Sequence, residues 1–579
     1  MKKNILSLLA CCIVAFIFII YRFNYSDIKS GESLKLTTWD ALGYYLYLPS
    51  LFIYNDMTEM AWFPEIDKKY GVSGGEIYQF HRYKNGNYVF KYLGGVAIVE
   101  SPFFFIGHMA AKILGYETDG FSAPYQYSIG FGVLLFCLIC VFLLRHLLLL
   151  YFSDFTTAIS ILLVMLATNA IQYMAIDSAQ SHGPIFCLYV LILFGTIKWH
   201  KKPSAFWAGL TGFLMGLASI SRPTEAIIFL IPLLWDTHTK EHARAKWQQV
   251  GLHKKHVWIA LAFGFLGVLP QLVYWQYASG FFIYDVGSAW DFLTPHLRVL
   301  VGGEKGWFIY TPVTIFFIAG MFFMKNYPFR KAVIYFCLIN IYIIISWRIW
   351  RYGGSYSARA LVQSYPVFAF ALGAFIEKIA RNNWQKVAIF IFGTFLIYVN
   401  LFQIRQYNFT ILHYDHMNYR YYKRIYLNNS LQPIDFSLLD NSDWVRNESK
   451  YQQNQLILNK TSREIKSKPD SSGHIISMKL NGFTAKKNWL KIETEIIPDF
   501  GVYGSYLNSE IHYGNEVKSN KIRLFGPAGY YHQYAFYIRI PDSLKEGELI
   551  LFVSSNDNFT GKINVLKISS ITSKTKTIK

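Results

Sequence analysis

The sequence predicts a polytopic α-helical membrane protein with about eleven transmembrane helices and a C-terminal periplasmic β-sandwich domain. Three observations predict it. The 579 residues are 53% hydrophobic and only 16% charged, with apolar runs too long for strands or ordinary core helices. The basic residues behind the net charge of +20 cluster in short loops beside those runs, a distribution that orients membrane proteins and argues against nucleic acid as a partner. After the last apolar run the composition turns polar, and from about residue 450 short alternating stretches such as WLKIETEII, YAFYIRI and ELILFV appear between Gly, Pro, Asn and Asp.

The first run, ILSLLACCIVAFIFII after Met1-Lys2-Lys3, has the charge pattern of a signal peptide. No small-residue cleavage site follows it, so it reads as a retained first span. LLAC at residues 8–11 mimics a lipoprotein site, but the apolar stretch before Cys11 is too short and continues past it. All six cysteines (Cys11, Cys12, Cys137, Cys140, Cys187 and Cys337) lie in apolar segments, where a thiol behaves as a small hydrophobe; no disulfide framework follows.

Spans are expected near residues 5–21, 125–148, 155–171, 183–198, 204–220, 224–235, 257–277, 307–324, 331–347, 363–380 and 385–402. With Lys2 and Lys3 in the cytoplasm, KWHKKP, THTKEHARAKWQQVGLHKKH, KNYPFRK and EKIARNNWQK all fall on the cytoplasmic side. That parity requires KYLGGVAIVESPFFFIGHMAAKIL, residues 91–114, not to cross. Glu100, Pro102 and its glycines suit an interfacial helix within an outer loop over 22–124. The expected domains are thus a transmembrane domain over 1–405, a linker over 406–429 and the sandwich over 430–579.

Charged residues at membrane depth are expensive, and here they gather near one face. Asp40 lies among Trp39, Tyr44, Tyr45 and Tyr47. A partly dry aromatic pocket raises a carboxylate's basicity and suits it to take a proton from an alcohol, and aromatic rings also stack on sugars. Asp177 and His182, five apart in TNAIQYMAIDSAQSHGP, either contact a substrate or cap helices. SRPTE brings Arg222 and Glu225 around a proline. RIWRYGGSYSARALVQSYP joins Arg348, Arg351 and Arg359 to two glycines just before a helix, a combination that suits a phosphate or a lipid headgroup. GGEKGWFIYTP is glycine-rich around Lys305 but lacks the P-loop spacing, so ATP is not expected there.

Together WDALGYYLYLP, DSAQSHGP, SRPTE, GWFIYTP and YGGSYSARALVQSYP, spread over residues 1–405, resemble the GT-C membrane glycosyltransferases. The resemblance is strongest to the polyprenyl-phosphate-sugar-dependent group that includes protein O-mannosyltransferases and lipid A aminoarabinose transferases. Asp40 stands without the adjacent second acid of some members.

The resemblance implies a bacterial inner-membrane enzyme with a cytoplasmic N-terminus. Its expected partners are a polyprenyl-phosphate sugar donor, a lipid, glycan or protein acceptor, and membrane lipids. It implies inverting transfer with Asp40 as general base, Asp177 and His182 assisting, and Arg348, Arg351, Arg359 and Arg222 on the donor phosphate. Trp39, Tyr44 and Tyr45 would contact the sugar or acceptor, and a divalent ion (Mg or Mn) on Asp40 and Asp177 is an option. The alternatives are a polymer or oligosaccharide transferase using a lipid-diphosphate glycan, and a non-catalytic lipid or glycan transporter or membrane scaffold.

Overall fold

The computed structural model describes residues 4–25, 35–459, 463–480, 488–500, 502, 504–526 and 529–574. Lys2 and Lys3, on which the expected orientation rests, lie outside the described residues. The chain divides into two compact units, Met1–Asp415 and His416–Lys579. The expected linker over 406–429 holds the end of the helix Asn383–Asn408 and the short helix Tyr419–Ile425.

In the first unit, helix occupies all eleven predicted segments. Polar residues start several of them: the side chains of Ser153, Ser204 and Thr239 accept the backbone N–H groups of Thr156, Trp207 and His242, and Asn382 forms a capping box with Gln385. Among the described residues, seven helices are long and apolar enough to cross a membrane: Ile5–Asn24, Gly95–Leu114, Ala123–Leu148, His182–Lys201, Lys254–Ser279, Arg359–Ile379 and Asn383–Asn408.

Gly95–Leu114 is long and apolar enough to cross a membrane, with Glu100 fully buried within the fold and Lys112 in its last turn. One expectation changes. The stretch near 307–324 is broken into Trp307–Tyr310, Pro312–Thr314, Ile315–Gly320 and Met321–Phe323, because Pro312 removes a backbone donor and ends the first turn.

The spans differ sharply in environment. The window in Arg359–Ile379 is 89% buried and that in Lys254–Ser279 only 17%, which makes the first central and the second peripheral. The peripheral helix packs on Ala205–Ser219 through small residues. A Cβ on Gly212 would lie 2.1 Å from the Ala260 carbonyl oxygen, and one on Gly216 would lie 2.1 Å from that of Gly264. Backbones that close admit only glycine, the geometry of small-xxx-small contacts in membranes.

The second unit is a β-sandwich. Its strands are β3 (Tyr451–Asn459), β4 (Arg463–Ser467), β5 (Gly473–Lys479), β6 (Asn488–Phe500), β7 (Ser505–Tyr513), β8 (Glu516–Arg523), β9 (His532–Arg539), β10 (Glu548–Ser555) and β11 (Phe559–Ser573); β1 (Phe80–Arg82) and β2 (Tyr88–Phe90) form a hairpin in the first unit. One sheet runs β5-β10-β7-β8 and the other β3-β11-β6-β9, with β4 also on β11. Alternate residues of β7 and β10 point inward, and Leu507, Ile511, Leu549 and Leu551 meet Leu490, Ile492 and Ile568 of the facing sheet in one apolar core. The segment before β3 is tied down by charge: Asp440 accepts both the backbone N–H and the guanidinium of Arg523, and Asp443 accepts from Lys518.

Candidate active site

Asp40 opens the helix Asp40–Tyr45, directly after Trp39 at φ 54°, so the chain turns sharply to bring its carboxylate inward. The β1–β2 hairpin supplies two partners. Tyr78 and Tyr92 lie two residues beyond the Phe80–Phe90 pair on either strand, and both hydroxyls donate to Asp40 Oδ1 at 2.7 Å. Tyr92 reaches it because residue 43 is glycine: a Cβ there would sit 2.0 Å from the Tyr92 ring. The third partner is far away in sequence. Arg359 Nη2 donates to Asp40 Oδ2 at 2.6 Å, and Arg359 Nη1 donates to Gln180 Oε1 at 3.1 Å.

These contacts reverse the expected basicity of Asp40. Burial acts to raise it, but the Arg359 guanidinium and the Tyr92 and Tyr78 hydroxyls outweigh burial and hold the carboxyl at about 2. Asp177 is the acid that is raised: burial outweighs the Gln172 amide and the more distant Arg22 and Arg359. It follows a π-helical turn, Gln172–Ile176, whose last carbonyls receive the buried Arg22 from the first helix; Gln172 Nε2 donates to Asp177 Oδ2 at 2.9 Å.

His182 begins the helix His182–Lys201 and is buried. Its Nδ1 lies 2.9 Å from Gln363 Oε1, while Gln363 Nε2 donates to Glu225 Oε1 at 3.1 Å; Glu225 also accepts from Tyr189. Because the amide N–H of Gln363 is used on Glu225, its oxygen faces the ring, so His182 carries its proton on Nδ1 and its lone pair on Nε2. Tyr44 packs edge-on against Tyr92 and bonds Ser181, next to His182. Arg222, Arg359 and Asp40 all lie within electrostatic range of the His182 ring.

Asp40, Tyr44, Asp177, His182, Arg222 and Arg359 thus converge. Trp39 stands at the edge, half exposed, its ring over Gly74. Three expected members lie elsewhere. Tyr45 is a core residue, fully buried against Phe104 and Phe121 with its hydroxyl on the Gly120 carbonyl. Arg348 and Arg351 point to the surface, paired with Asp291 at 3.0 Å and Glu304 at 2.8 Å, because those acids compete for them. A divalent ion on Asp40 does not fit either. Both of its oxygens already accept from cationic or hydroxyl donors, and a guanidinium occupies the place of a cation.

Similarity to known proteins is faint. No family model matches the chain, and no curated protein matches it. Among the solved structures similar to it are the following two. ArnT from Cupriavidus metallidurans in the apo state matches at 13% identity and a TM-score of 0.33, over 56% of this chain and 70% of its own. The arabinosyltransferase EmbB from Mycobacterium smegmatis matches at 10% identity and a TM-score of 0.28, over 76% of this chain and 57% of its own.

Several functional candidates escape the sequence. Tyr78 and Tyr92 sit in an ordinary-looking loop, and only strand pairing brings them together. Lys91, between them in the chain, lies 5.3 Å and 5.9 Å from their ring centroids and sets a cation against both rings. Lys305 is a buried tether: its ammonium donates to the carbonyls of Gly353, Ser355 and Tyr414, which fixes the loop that leads into Arg359. The glycine pairs around Lys305 and at 353–354 are the sequence signal for that closely packed loop.

Proposed function

We propose that this chain is a membrane glycosyltransferase of the GT-C type. In this reading it moves a sugar from a polyprenyl-phosphate donor to a hydroxyl of a cell-envelope acceptor on the outer side of the bacterial inner membrane, with inversion. The observation that carries the reading is the Asp40–Arg359 pair, a carboxylate and a guanidinium shared with two tyrosines in a site beside apolar helices.

The pair couples donor binding to base strength. The donor's phosphodiester offers Arg359 two oxygens that share a negative charge, a bidentate partner in place of one carboxylate oxygen, and the phosphate gains a second charge as the sugar leaves. As Arg359 turns to it, Asp40 loses the charge that holds its basicity down and becomes able to accept the acceptor's hydroxyl proton. The acceptor oxygen then bonds to the anomeric carbon as the carbon–oxygen bond to phosphate breaks. The polyprenyl phosphate leaves with both electrons of that bond, its charge met by Arg359 and Arg222. His182 Nε2, as a lone-pair acceptor, and Asp177 orient the acceptor hydroxyl.

The test is mass spectrometry of polyprenyl-phosphate sugars in cells lacking the gene, complemented with wild type, Asp40→Asn or Arg359→Gln at matched protein levels. One lipid-linked sugar accumulates in the deletion and in both variants and clears with wild type. An identical lipid profile in all strains overturns the reading, and accumulation of a lipid diphosphate glycan instead moves it to polymer transfer.

A further inference from the structure

Away from that site, the loop after the helix Leu230–Leu234 places Asp236, His238 and His242 together, in the spacing D-x-H-x3-H. We propose that these three residues form a zinc site, with water in the fourth position.

One donor atom from each residue lies within 4.8 Å of the other two. His238 Nδ1 is 3.6 Å from Asp236 Oδ1, close to the ligand–ligand edge of about 3.4 Å that a tetrahedral ion with bonds of about 2.1 Å requires. The two imidazole centroids are 4.1 Å apart. The His238 side chain is only 9% exposed, and among the described residues its Nδ1 has no hydrogen-bond partner, although a carboxylate stands just beyond bonding distance. A buried ring nitrogen left unsatisfied beside an acid and a second imidazole lacks one thing, a cation between them.

The backbone is set for it. Asp236 has φ 56°, and its N–H donates to the Pro328 carbonyl, which fixes the backbone at the start of the loop. Thr239 caps the helix Lys240–Leu252, and its hydroxyl lies 3.0 Å from His242 Nδ1, the kind of outer contact that orients a ligating ring. None of the cations nearby is hydrogen-bonded to the three donors among the described residues. Lys246 donates to the carbonyls of Pro232 and Leu233, and Arg330 and Lys331, at the start of the helix Arg330–Ile345, act on His238 electrostatically. Imidazole and carboxylate donors without thiolate suit zinc over softer copper(I).

The experiment titrates zinc chloride into full-length, untagged protein in detergent against a chromophoric chelator, and repeats the titration with cobalt(II) to record visible absorption. Expected is one equivalent of zinc per chain and a tetrahedral cobalt spectrum. His238→Ala and the surface variant His242→Gln should weaken binding by more than the roughly 10–100-fold that loss of an outer-shell partner brings. His253→Ala, which removes half of the stacked His253–His256 pair nearby, should bind as wild type. Equal zinc binding in wild type and His242→Gln, or its loss in His253→Ala, overturns the site.

Discussion

At the scale of single residues, the molecule turns on what surrounds Asp40. Asp40→Asn should lower sugar transfer by about 10²–10⁴-fold with the elution volume in detergent unchanged, measured with purified protein and a lipid-linked donor. Arg359→Lys keeps the charge but loses the fork that spans Asp40 and Gln180, so it should lower transfer with a larger effect on kcat than on KM for the acceptor. The pH dependence of stability has a definite sign. The Asp40 carboxyl falls from its usual 3.8 to about 2 in the fold, so its contribution is fully present above pH ~4 and is lost as the pH drops towards ~2. Thermal unfolding of wild type and Asp40→Asn should therefore differ at pH 6 and converge towards pH 2–3. The acid was legible as unusual from its aromatic setting, yet the sequence predicted the wrong direction of its shift. Local composition reveals burial, whereas the opposing charge comes from a residue 319 positions away.

At the scale of elements, hydropathy located the helices but not their breaks. A run such as 307–324 is apolar throughout, and periodicity does not register a proline that splits it into short turns. Glu100 is fully buried in its helix, which a single charge in an apolar run does not announce. The contact between Ala205–Ser219 and Lys254–Ser279 is legible in hindsight as paired glycines. Gly216→Leu cannot be accommodated 2.1 Å from a backbone oxygen and should force the helices apart. Loss of a cysteine crosslink engineered between them, read on a gel, would report it. In the sandwich, β11 bonds β3, β4 and β6 at once. Truncation before Phe559 should abolish the protease resistance of residues 450–558, whereas alternation alone marked β11 as one strand among many.

At the scale of the whole molecule, the two units obey different solvents. Helix Lys254–Ser279 turns Trp258, Leu261 and Phe265 outward, and Asn383–Asn408 does the same with Trp384 and Ile391; surfaces like these are stable against acyl chains and not against water. The protein should stay in the membrane pellet through alkaline carbonate and high salt and enter the soluble fraction only with detergent, as an immunoblot of the fractions would read. The polar, alternating second unit needs no such solvent, and that contrast is why the class of each half could be read from composition alone. The long separation of Asp40 from Arg359 has a consequence in time. At about 5–20 residues per second, synthesis delivers the arginine roughly 15–60 s after the acid. Throughout that interval the nascent chain carries a carboxylate with no guanidinium to meet it, so the Asp40–Arg359 pair is among the last parts of the helical unit to be born, and a chain released before residue 359 lacks it altogether.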